Sequence, residues 1–425
     1  MTYRPEIDGL RAVAVVLVLL FHAAFTVMGR SDWFKNGYIG VDIFFVISGY
    51  LITLIILKEL RETGGFSFGN FYERRARRIL PVLFFIIFAT FPVAFHLLSD
   101  AELYEFLLSV ISIIFFVSNI FFYFVYDAGT PTIAPFVHTW SLAVEEQFYL
   151  IFPIALLLLR RHIPKFTLPI FFIVFCLSFF FAEYIGRYDY EFNYSQLPSR
   201  IWELLAGSFL AFMELERGKV RRNRFNSLLP IAGAAMIFWY VMLLGTDPVH
   251  PGYLSIFPIL GTMLIIAFAS GDDLVGRALS LKPVVATGKM SYSLYLWHLP
   301  VYMFLEYAYP NSKNPEKLGR VILTFLLSVI SYYLIERPFR NREVIRAKPF
   351  FYLIGTTAIL IVFLSFPGDR FSIVGSGLIH QALLQEPVFL LRAILASGDI
   401  RTRAVMAISA GRNLACCRSC SIFDI

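Results

Sequence analysis

Arg11 and His22 are residues that can bind charge and move protons, and both lie in the apolar run near the N-terminus. If this run is a helix, the eleven-residue step between them places both on one face, about 16 Å apart along the axis. Asp8 falls on nearly the same face as Arg11. An ionisable residue at the bilayer centre costs about 2.5–3.5 kcal/mol, so this pattern indicates a functional site. The alternative is that His22 is a packed core histidine and that Arg11 anchors the helix at the membrane surface.

The segment HTWSLAVEEQFYL, residues 138–150, contains polar residues at helical spacing. Ser141, Glu145 and Tyr149 follow one another at four-residue intervals and therefore share a helix face, while Glu146 lies about 100° further round. Two adjacent carboxylates in an apolar helix require cations, hydroxyl groups or water. The alternative is an N-terminal turn at the membrane surface, where acidic residues suit the helix dipole.

Four arginines precede the third long apolar run, in the segment FYERRARRILP at residues 71–81. They are Arg74, Arg75, Arg77 and Arg78. Arginine binds phosphate through paired, charge-assisted hydrogen bonds, so this cluster predicts a phosphate site. A cluster that only fixes the orientation of the chain in the membrane is the alternative.

The segment GKMSYSLYLWHLP, residues 288–300, contains a second membrane histidine. Ser291, Tyr295 and His298 share one face of the expected helix, which predicts a polar cavity or substrate site. An aromatic belt at the membrane surface is the alternative. Asp42, in GVDIFFVISGY, is a further candidate for this cavity.

The composition is that of a membrane protein with many spans. Of the 425 residues, 58% are hydrophobic and 16% are charged, and the mean hydropathy is +0.69. Soluble domains have roughly 45–50% apolar and 25% charged residues. A spanning helix needs about 20 apolar residues. Twelve runs approach this length: 10–28, 38–57, 79–98, 106–126, 142–159, 168–184, 199–214, 229–245, 254–270, 291–308, 319–336 and 350–367.

Basic connections between these runs predict the topology, because Lys and Arg concentrate on the cytoplasmic side. The basic connections are 58–78, 160–165, 217–224 and 336–348. Connections with fewer Lys and Arg, expected outside, are 185–198, 246–253 and 309–318. Alternation then leaves one run too many between 79 and 141. We expect an all-α, polytopic integral membrane helix bundle of about eleven transmembrane helices plus one re-entrant segment. The N-terminus would be cytoplasmic and the C-terminus periplasmic or otherwise extracytoplasmic.

Several functions are disfavoured by the sequence. It has no P-loop, no GxGxxG fingerprint, no HExxH and no GxSxG segment, which argues against a nucleotide-driven pump and a serine hydrolase. The net charge of +7 is a topology signal, and no nucleic-acid motif accompanies it. Cys416, Cys417 and Cys420 lack a convincing fourth ligand, so we predict no metal site.

Five ordered blocks resemble those of the membrane acyltransferase family 3, which includes bacterial O-antigen acetylases. The blocks are RPEIDGLRAVAV…FHA, GVDIFFVISGYLI, RRARRILP, HTWSLAVEEQFYL and GKMSYSLYLWH. The resemblance covers about residues 3–345 and implies a bacterial inner (cytoplasmic) membrane enzyme. It implies acyl transfer, usually of acetyl, from acetyl-CoA to a hydroxyl of an O-antigen, another surface polysaccharide or a glycolipid. Acetyl-CoA would be a co-substrate, with no permanently bound cofactor and membrane lipid as a further partner.

The resemblance also implies roles for individual residues. The Arg-x10-His feature of the family falls on Arg11 and His22, and its Ser-Leu-x-x-Glu-Glu motif on Ser141, Leu142, Glu145 and Glu146. Its basic motif falls on the four arginines at 74–78, which would bind CoA. His22 would act as a general base or carry the acyl group transiently, and Glu145 and Glu146 would orient it or position the acceptor.

The expected organisation is a membrane acyltransferase domain at 1–345, an additional transmembrane helix at 346–367 and an extracytoplasmic tail at 368–425. This order resembles the long members of the family that carry a fused SGNH-type domain, but no Gly-Asp-Ser block occurs here. We therefore expect a tail that is disordered or truncated. A secondary transporter or flippase of a glycan or lipid precursor, and a non-catalytic remnant, are the alternative functions.

Overall fold

The computed structural model describes residues 3–25, 33–127, 133–218, 226–245, 249–310 and 312–365. Every regular element in these ranges is helical. The α-helices are α1 (Pro5–Ala23), α2 (Gly40–Thr63), α3 (Phe68–Leu97), α4 (Asp100–Ile114), α5 (Ser118–Asp127), α6 (Thr139–His162), α7 (Thr167–Ile185), α8 (Tyr190–Ser195), α9 (Leu197–Arg217), α10 (Leu229–Met242), α11 (Ile256–Phe268), α12 (Leu274–Leu279), α13 (Lys282–Lys289), α14 (Ser291–Ala308), α15 (Asn314–Ser331), α16 (Arg337–Arg340) and α17 (Ala347–Ser365). Short 3-10 helices lie at Gly37–Ile39, Pro164–Phe166 and Tyr253–Ser255, and a π-helical turn at Tyr332–Glu336 joins α15 to α16.

The expectation of an all-α membrane protein is confirmed. Among the described residues, six helices are long and apolar enough to cross a membrane: Gly37–Thr63, Phe68–Leu97, Thr139–His162, Pro164–Ile185, Asn314–Arg340 and Ala347–Ser365. Two shorter apolar helices are Leu229–Met242 and Tyr253–Phe268. The expected count of about eleven spans stays a prediction.

Apolar side chains cover the outside of the bundle. On α7, Phe172, Ile173, Leu177 and Phe180 are each more than half exposed. Such a surface is unfavourable in water but suits contact with lipid tails, because burial in hydrocarbon removes the same apolar area from water.

Helix α2 occupies the centre of the bundle and α17 its edge. The apolar stretch of α2 is 83% buried within the protein, whereas that of α17 is 17% buried. Helix α2 packs most extensively against α9. A Cβ atom at Gly49 would lie 1.8 Å from the carbonyl oxygen of Leu204, and one at Gly207 would lie 1.9 Å from that of Val46. Glycine at both positions therefore allows the two backbones to approach closely, as is typical of membrane helix pairs.

The predicted apolar run at 106–126 is not one helix, which corrects that expectation. Helix α4 ends at Ile114, and Phe116 adopts a left-handed conformation with φ of 54°. The Val117 amide donates to the Ser112 carbonyl and the Phe116 amide to the Ile113 carbonyl, the pattern of a Schellman motif. Glycine usually occupies this left-handed position. Because phenylalanine occupies it here, the sequence carries no obvious sign of the break. With 15 and 10 residues, α4 and α5 extend about 22 and 15 Å, less than the roughly 30 Å of a bilayer core.

The buried apolar side chains form two clusters, and the candidate site lies between them. One cluster is centred on α1, α2, α6, α9 and α11. The other is centred on α3, α4, α14 and α17. Helix α17 lies where an additional helix at 346–367 is expected, and it packs on α3 and α4. The tail at 368–425 lies outside the described residues.

Candidate functional site

A cavity of about 730 Å³ opens among α1, α2, α3, α6 and α14. Its polar lining consists of Arg11, Ser48, Arg75, Arg78, Ser141, Glu145, Tyr149, Ser291, Tyr292 and Tyr295. Five helices from distant parts of the chain would not be needed for a simple interfacial anchor. The structure thus brings together most of the residues that the sequence singles out, on helices that the apolar runs predict.

Two of the four clustered arginines face this cavity. Helix α3 begins at Phe68, after Ser67, whose side chain accepts a hydrogen bond from the Asn70 amide, so the arginines lie on the helix. Arg75 and Arg78 are three residues apart and share the cavity face. The Arg75 guanidinium lies 4.5 Å from the centre of the Tyr149 ring. Neither arginine pairs with a carboxylate among the described residues, so both charges remain available to an anion.

The other two arginines have structural partners. Arg74, on the outer side of α3, lies 3.5 Å from the Glu59 carboxylate. Arg77 is buried, lies 2.8 Å from a Glu73 carboxylate oxygen and donates to the Phe339 carbonyl at 3.2 Å. Its guanidinium also stacks 4.5 Å from the centre of the Phe350 ring. The predicted phosphate role therefore fits Arg75 and Arg78 better than Arg74 and Arg77.

Helix α6 contributes the acidic side of the cavity. Ser48 donates to one Glu145 oxygen and Tyr149 to the other, each at 2.9 Å. The Ser141 hydroxyl lies 2.7 Å from the Tyr295 hydroxyl, which also donates to the His138 carbonyl at 2.9 Å. The predicted face of Ser141, Glu145 and Tyr149 is thus a lining of the cavity, as the helical spacing requires.

Glu146 lies on a different face of α6 from Glu145. One of its carboxylate oxygens is buried and has no hydrogen-bond partner in the part of the chain that the structure describes. On α1, Arg11 lies 4.0 Å from Asp8, which agrees with the predicted pair, and its buried Nε atom has no hydrogen-bond partner among the described residues.

Three imidazole rings form a cluster beside the cavity. The His298 ring centre lies 5.1 Å from that of His22 and 4.9 Å from that of His138. Tyr295 connects this cluster to the cavity, since its ring centre lies 5.1 Å from that of His138. His22 and His298 are therefore neighbours in space, although they lie on different helices.

Backbone contacts fix the proton positions on two of these rings. The His22 Nδ1 atom lies 3.0 Å from the Val18 carbonyl, and the His298 Nδ1 atom lies 2.5 Å from the Tyr295 carbonyl. A carbonyl oxygen can only accept, so each Nδ1 carries the hydrogen and each Nε2 keeps a free lone pair. An imidazole in this tautomer can take up a proton at Nε2.

Asp42 does not belong to the cavity lining, contrary to its predicted place. It faces α9, where Arg200 donates to Asp42 at 3.0 Å and to Glu203 at 2.9 Å, and all three side chains are buried. His250 lies 3.4 Å from the same Asp42 oxygen. The charge of Asp42 is thus compensated within a buried ion network that also contains Arg200 and Glu203.

His138 was not singled out by the sequence reasoning, although it begins the segment HTWSL. The signal was available, because it is a histidine at the start of an apolar helix and only three residues before Ser141. Its proximity to His298, 160 positions later, follows from the packing of α6 and α14 and not from a local pattern.

Comparison with known proteins agrees with these features. Residues 4–337 match the model of a family described as an acyltransferase domain. O-acetyltransferase OatA of Staphylococcus aureus (strain NCTC 8325 / PS 47) is 33% identical over 360 residues, which cover 80% of this chain and 58% of that protein. Putative O-acetyltransferase SAS0844 of strain MSSA476 is 32% identical over 361 residues, which cover 81% of this chain and 58% of that protein.

The chain spans 58% of the length of these curated relatives. No solved structure matches it. The family match nevertheless covers well over half of the 425 residues and includes every helix that lines the cavity. The chain therefore belongs to the acyltransferase family that this model describes.

Proposed function

We propose that this protein is a membrane-bound O-acyltransferase that moves an acyl group, in the first instance acetyl, from acetyl-CoA to a hydroxyl of a cell-envelope carbohydrate. The observation that carries the proposal is the cavity in which unpaired arginines meet the serine, glutamate and tyrosine residues of α6 and α14, next to the histidine cluster. The family and the names of the relatives support the same class of reaction.

The donor would bind through its phosphates at Arg75 and Arg78, and Arg11 of α1 lines the same cavity. Arg75 and Arg78 lack carboxylate partners among the described residues, and a guanidinium binds phosphate by paired hydrogen bonds. Because the basic connections at 58–78 and 336–348 are expected in the cytoplasm, this end of the cavity would open to the cytoplasmic pool of donor.

The reaction would take place at His22. The Nε2 lone pair removes the proton of the acceptor hydroxyl, and the hydroxyl oxygen forms a bond to the acyl carbonyl carbon. The bond from that carbon to sulfur breaks, and the CoA thiolate takes up one proton. Direct transfer of this kind uses His22 as a general base. In the second possible route the acyl group is held transiently on the His22 imidazole before it reaches the acceptor.

Glu145 and Glu146 would position these groups rather than react. Glu145 is held by Ser48 and Tyr149, which fixes its carboxylate against the cavity. The free carboxylate oxygen of Glu146 remains available to a hydroxyl or to the protonated imidazole.

The finer topology is part of the proposal. We infer a bacterial cytoplasmic-membrane location, an N-terminus inside and an extracytoplasmic C-terminus, with about eleven spans. The break after α4 supports a non-crossing piece between 79 and 141, because neither α4 nor α5 alone spans a bilayer core. An acyl group delivered through the cavity would then meet an acceptor from the other face at the histidine cluster next to Tyr295.

The test uses the full chain purified and reconstituted in lipid nanodiscs. We expect acetyl-CoA-dependent release of free thiol when a cell-envelope carbohydrate extract from the producing cells is added, together with base-labile acetate on that carbohydrate. A transporter or flippase would bind or move a glycan without release of CoA. A chain that binds acetyl-CoA but releases no thiol with the extract would contradict the proposal.

A further inference from the structure

Within the described part of the chain, four buried polar atoms near His22 lack a hydrogen bond of good geometry, although the His138 ring approaches the Leu296 backbone. They are both ring nitrogens of His138, the Nε2 atom of His298 and the hydroxyl of Tyr302. These residues are only 4%, 0% and 5% exposed, respectively, so bulk water does not satisfy them. The His298 ring centre lies 4.9 Å from that of His138 and 6.0 Å from that of Tyr302, so the three side chains that carry these atoms are neighbours.

The cluster continues the polar stripe of the cavity along α14. Ser291 and Tyr295 line the cavity, and His298 and Tyr302 follow at seven and eleven residues from Ser291, on the same helix face. Eleven residues correspond to about 16 Å along the helix axis. The stripe therefore leads from the arginine end of the cavity to the neighbourhood of His22 and beyond it.

Unpaired polar atoms at this depth point to a ligand. Each buried donor or acceptor without a partner costs about 1–3 kcal/mol, and lipid offers no replacement. Four such atoms in one cluster would be a large cost if the site had no occupant. An apolar side chain at any of these positions would avoid it.

The chemistry of the four atoms selects the class of ligand. The Nε2 atom of His298 can only accept a hydrogen bond, and the Tyr302 hydroxyl can donate one. The neutral His138 ring donates a hydrogen bond at one nitrogen and accepts one at the other. An acyl chain satisfies none of these atoms, and a phosphate supplies no donor to the imidazole lone pairs. A carbohydrate supplies both functions, because each of its hydroxyl groups donates and accepts.

We propose that His138, His298 and Tyr302 form the site that binds the hydroxyl groups of the carbohydrate acceptor and presents one of them to His22. The inference rests on the proposed acyl transfer, and it adds the location of the acceptor and the residues that hold it. In this arrangement donor and acceptor approach from different ends of one polar stripe, with His22 next to the acceptor end.

The experiment measures where the acyl group goes. Everted membrane vesicles from cells that produce the full chain contain the native envelope carbohydrate, and they are supplied with radiolabelled acetyl-CoA. Two quantities are measured in the same samples: the ratio of carbohydrate-bound acetate to free acetate, and the amount of CoA released. The variants are Tyr302→Phe, which removes only an unpartnered hydroxyl, and His138→Gln. The matched control is Tyr352→Phe, at a tyrosine that is 74% exposed.

We expect both variants to keep acetyl-CoA binding and to lower the ratio of bound to free acetate about three- to tenfold, the effect of one lost hydrogen bond to the acceptor. The control should keep the wild-type ratio. An unchanged ratio in both variants would overturn the acceptor site and leave water as its occupant. If CoA release and acetate transfer both fell while the ratio of bound to free acetate stayed constant, these residues would have only a structural role. Failure of the proposed function has a different signature, since the wild type itself would then release no CoA.

Discussion

Donor affinity should depend on two of the four clustered arginines and not on a third. The perturbation is the double substitution Arg75→Gln and Arg78→Gln, compared with the single substitution Arg74→Gln. All three residues lie within two turns of α3, so their effects on membrane insertion should be similar. They differ in what their guanidinium groups face, because Arg75 and Arg78 line the cavity and Arg74 pairs with Glu59.

The magnitude follows from the contacts. A hydrogen bond to a charged group contributes about 1.5–3 kcal/mol, which corresponds to roughly ten- to hundredfold in affinity for each arginine. If the two smallest effects add in free energy, the double variant should weaken CoA binding by about 100-fold. The Arg74 side chain is 48% exposed, and an exposed pair of this kind is worth about 0–1 kcal/mol. Since Arg74 does not line the cavity, Arg74→Gln should leave the CoA affinity within about fivefold of the wild type, the equivalent of about 1 kcal/mol.

The assay is equilibrium binding of acetyl-CoA to the purified full chain in detergent, with thermal unfolding measured on the same samples. Arg77 is not a suitable control, because it is buried against Glu73 and Phe350 and its loss would disturb the fold. Equal affinities of the double variant and the wild type would refute the donor site. If Arg74→Gln lost as much affinity as the double variant, the assignment of donor binding to Arg75 and Arg78 alone would be refuted.

Three further predictions concern the fold and its orientation. Arg200→Met should destabilise the protein by about 3–5 kcal/mol, measured by thermal or denaturant unfolding in detergent, because two buried carboxylates lose their cation. Gly49→Val should sharply reduce the amount of folded protein in membranes, while Gly65→Ala, with open space around it, should not; equal yields would contradict the close contact of α2 and α9. In a chain whose native cysteines are replaced by serine, a cysteine at Lys165 should be labelled only from the cytoplasm and one at Tyr188 only from outside. Labelling of both from one side would contradict the topology.

The helices and several shared faces could be predicted from the sequence, because both depend on local periodicity. Apolar runs locate the long helices, and the four-residue spacing of Ser141, Glu145 and Tyr149 places them on one wall of the cavity. The same reasoning could have divided the arginine cluster, since Arg75 and Arg78 are three residues apart on one face.

Contacts between distant segments could not be predicted in this way. Asp42 meets Arg200 across 158 positions, so no local pattern indicates that its charge is compensated away from the cavity. The meeting of His22, His138 and His298 depends on how three helical segments pack. The break at Phe116 lacks the glycine or proline that usually marks a helix end, and it depends on a non-glycine residue in a left-handed conformation.

The most direct test of acyl transfer at this site is the rate of CoA release by His22→Ala, measured with the full chain in nanodiscs and the envelope carbohydrate extract. Loss of a general base typically lowers the rate by about 10²–10⁴-fold, so release should fall at least about 100-fold. Acetyl-CoA binding should persist, because the arginines of α3 are unchanged. His162→Ala, at an exposed position at the end of α6, should keep the wild-type rate. Near wild-type release by a folded His22→Ala protein would contradict the account.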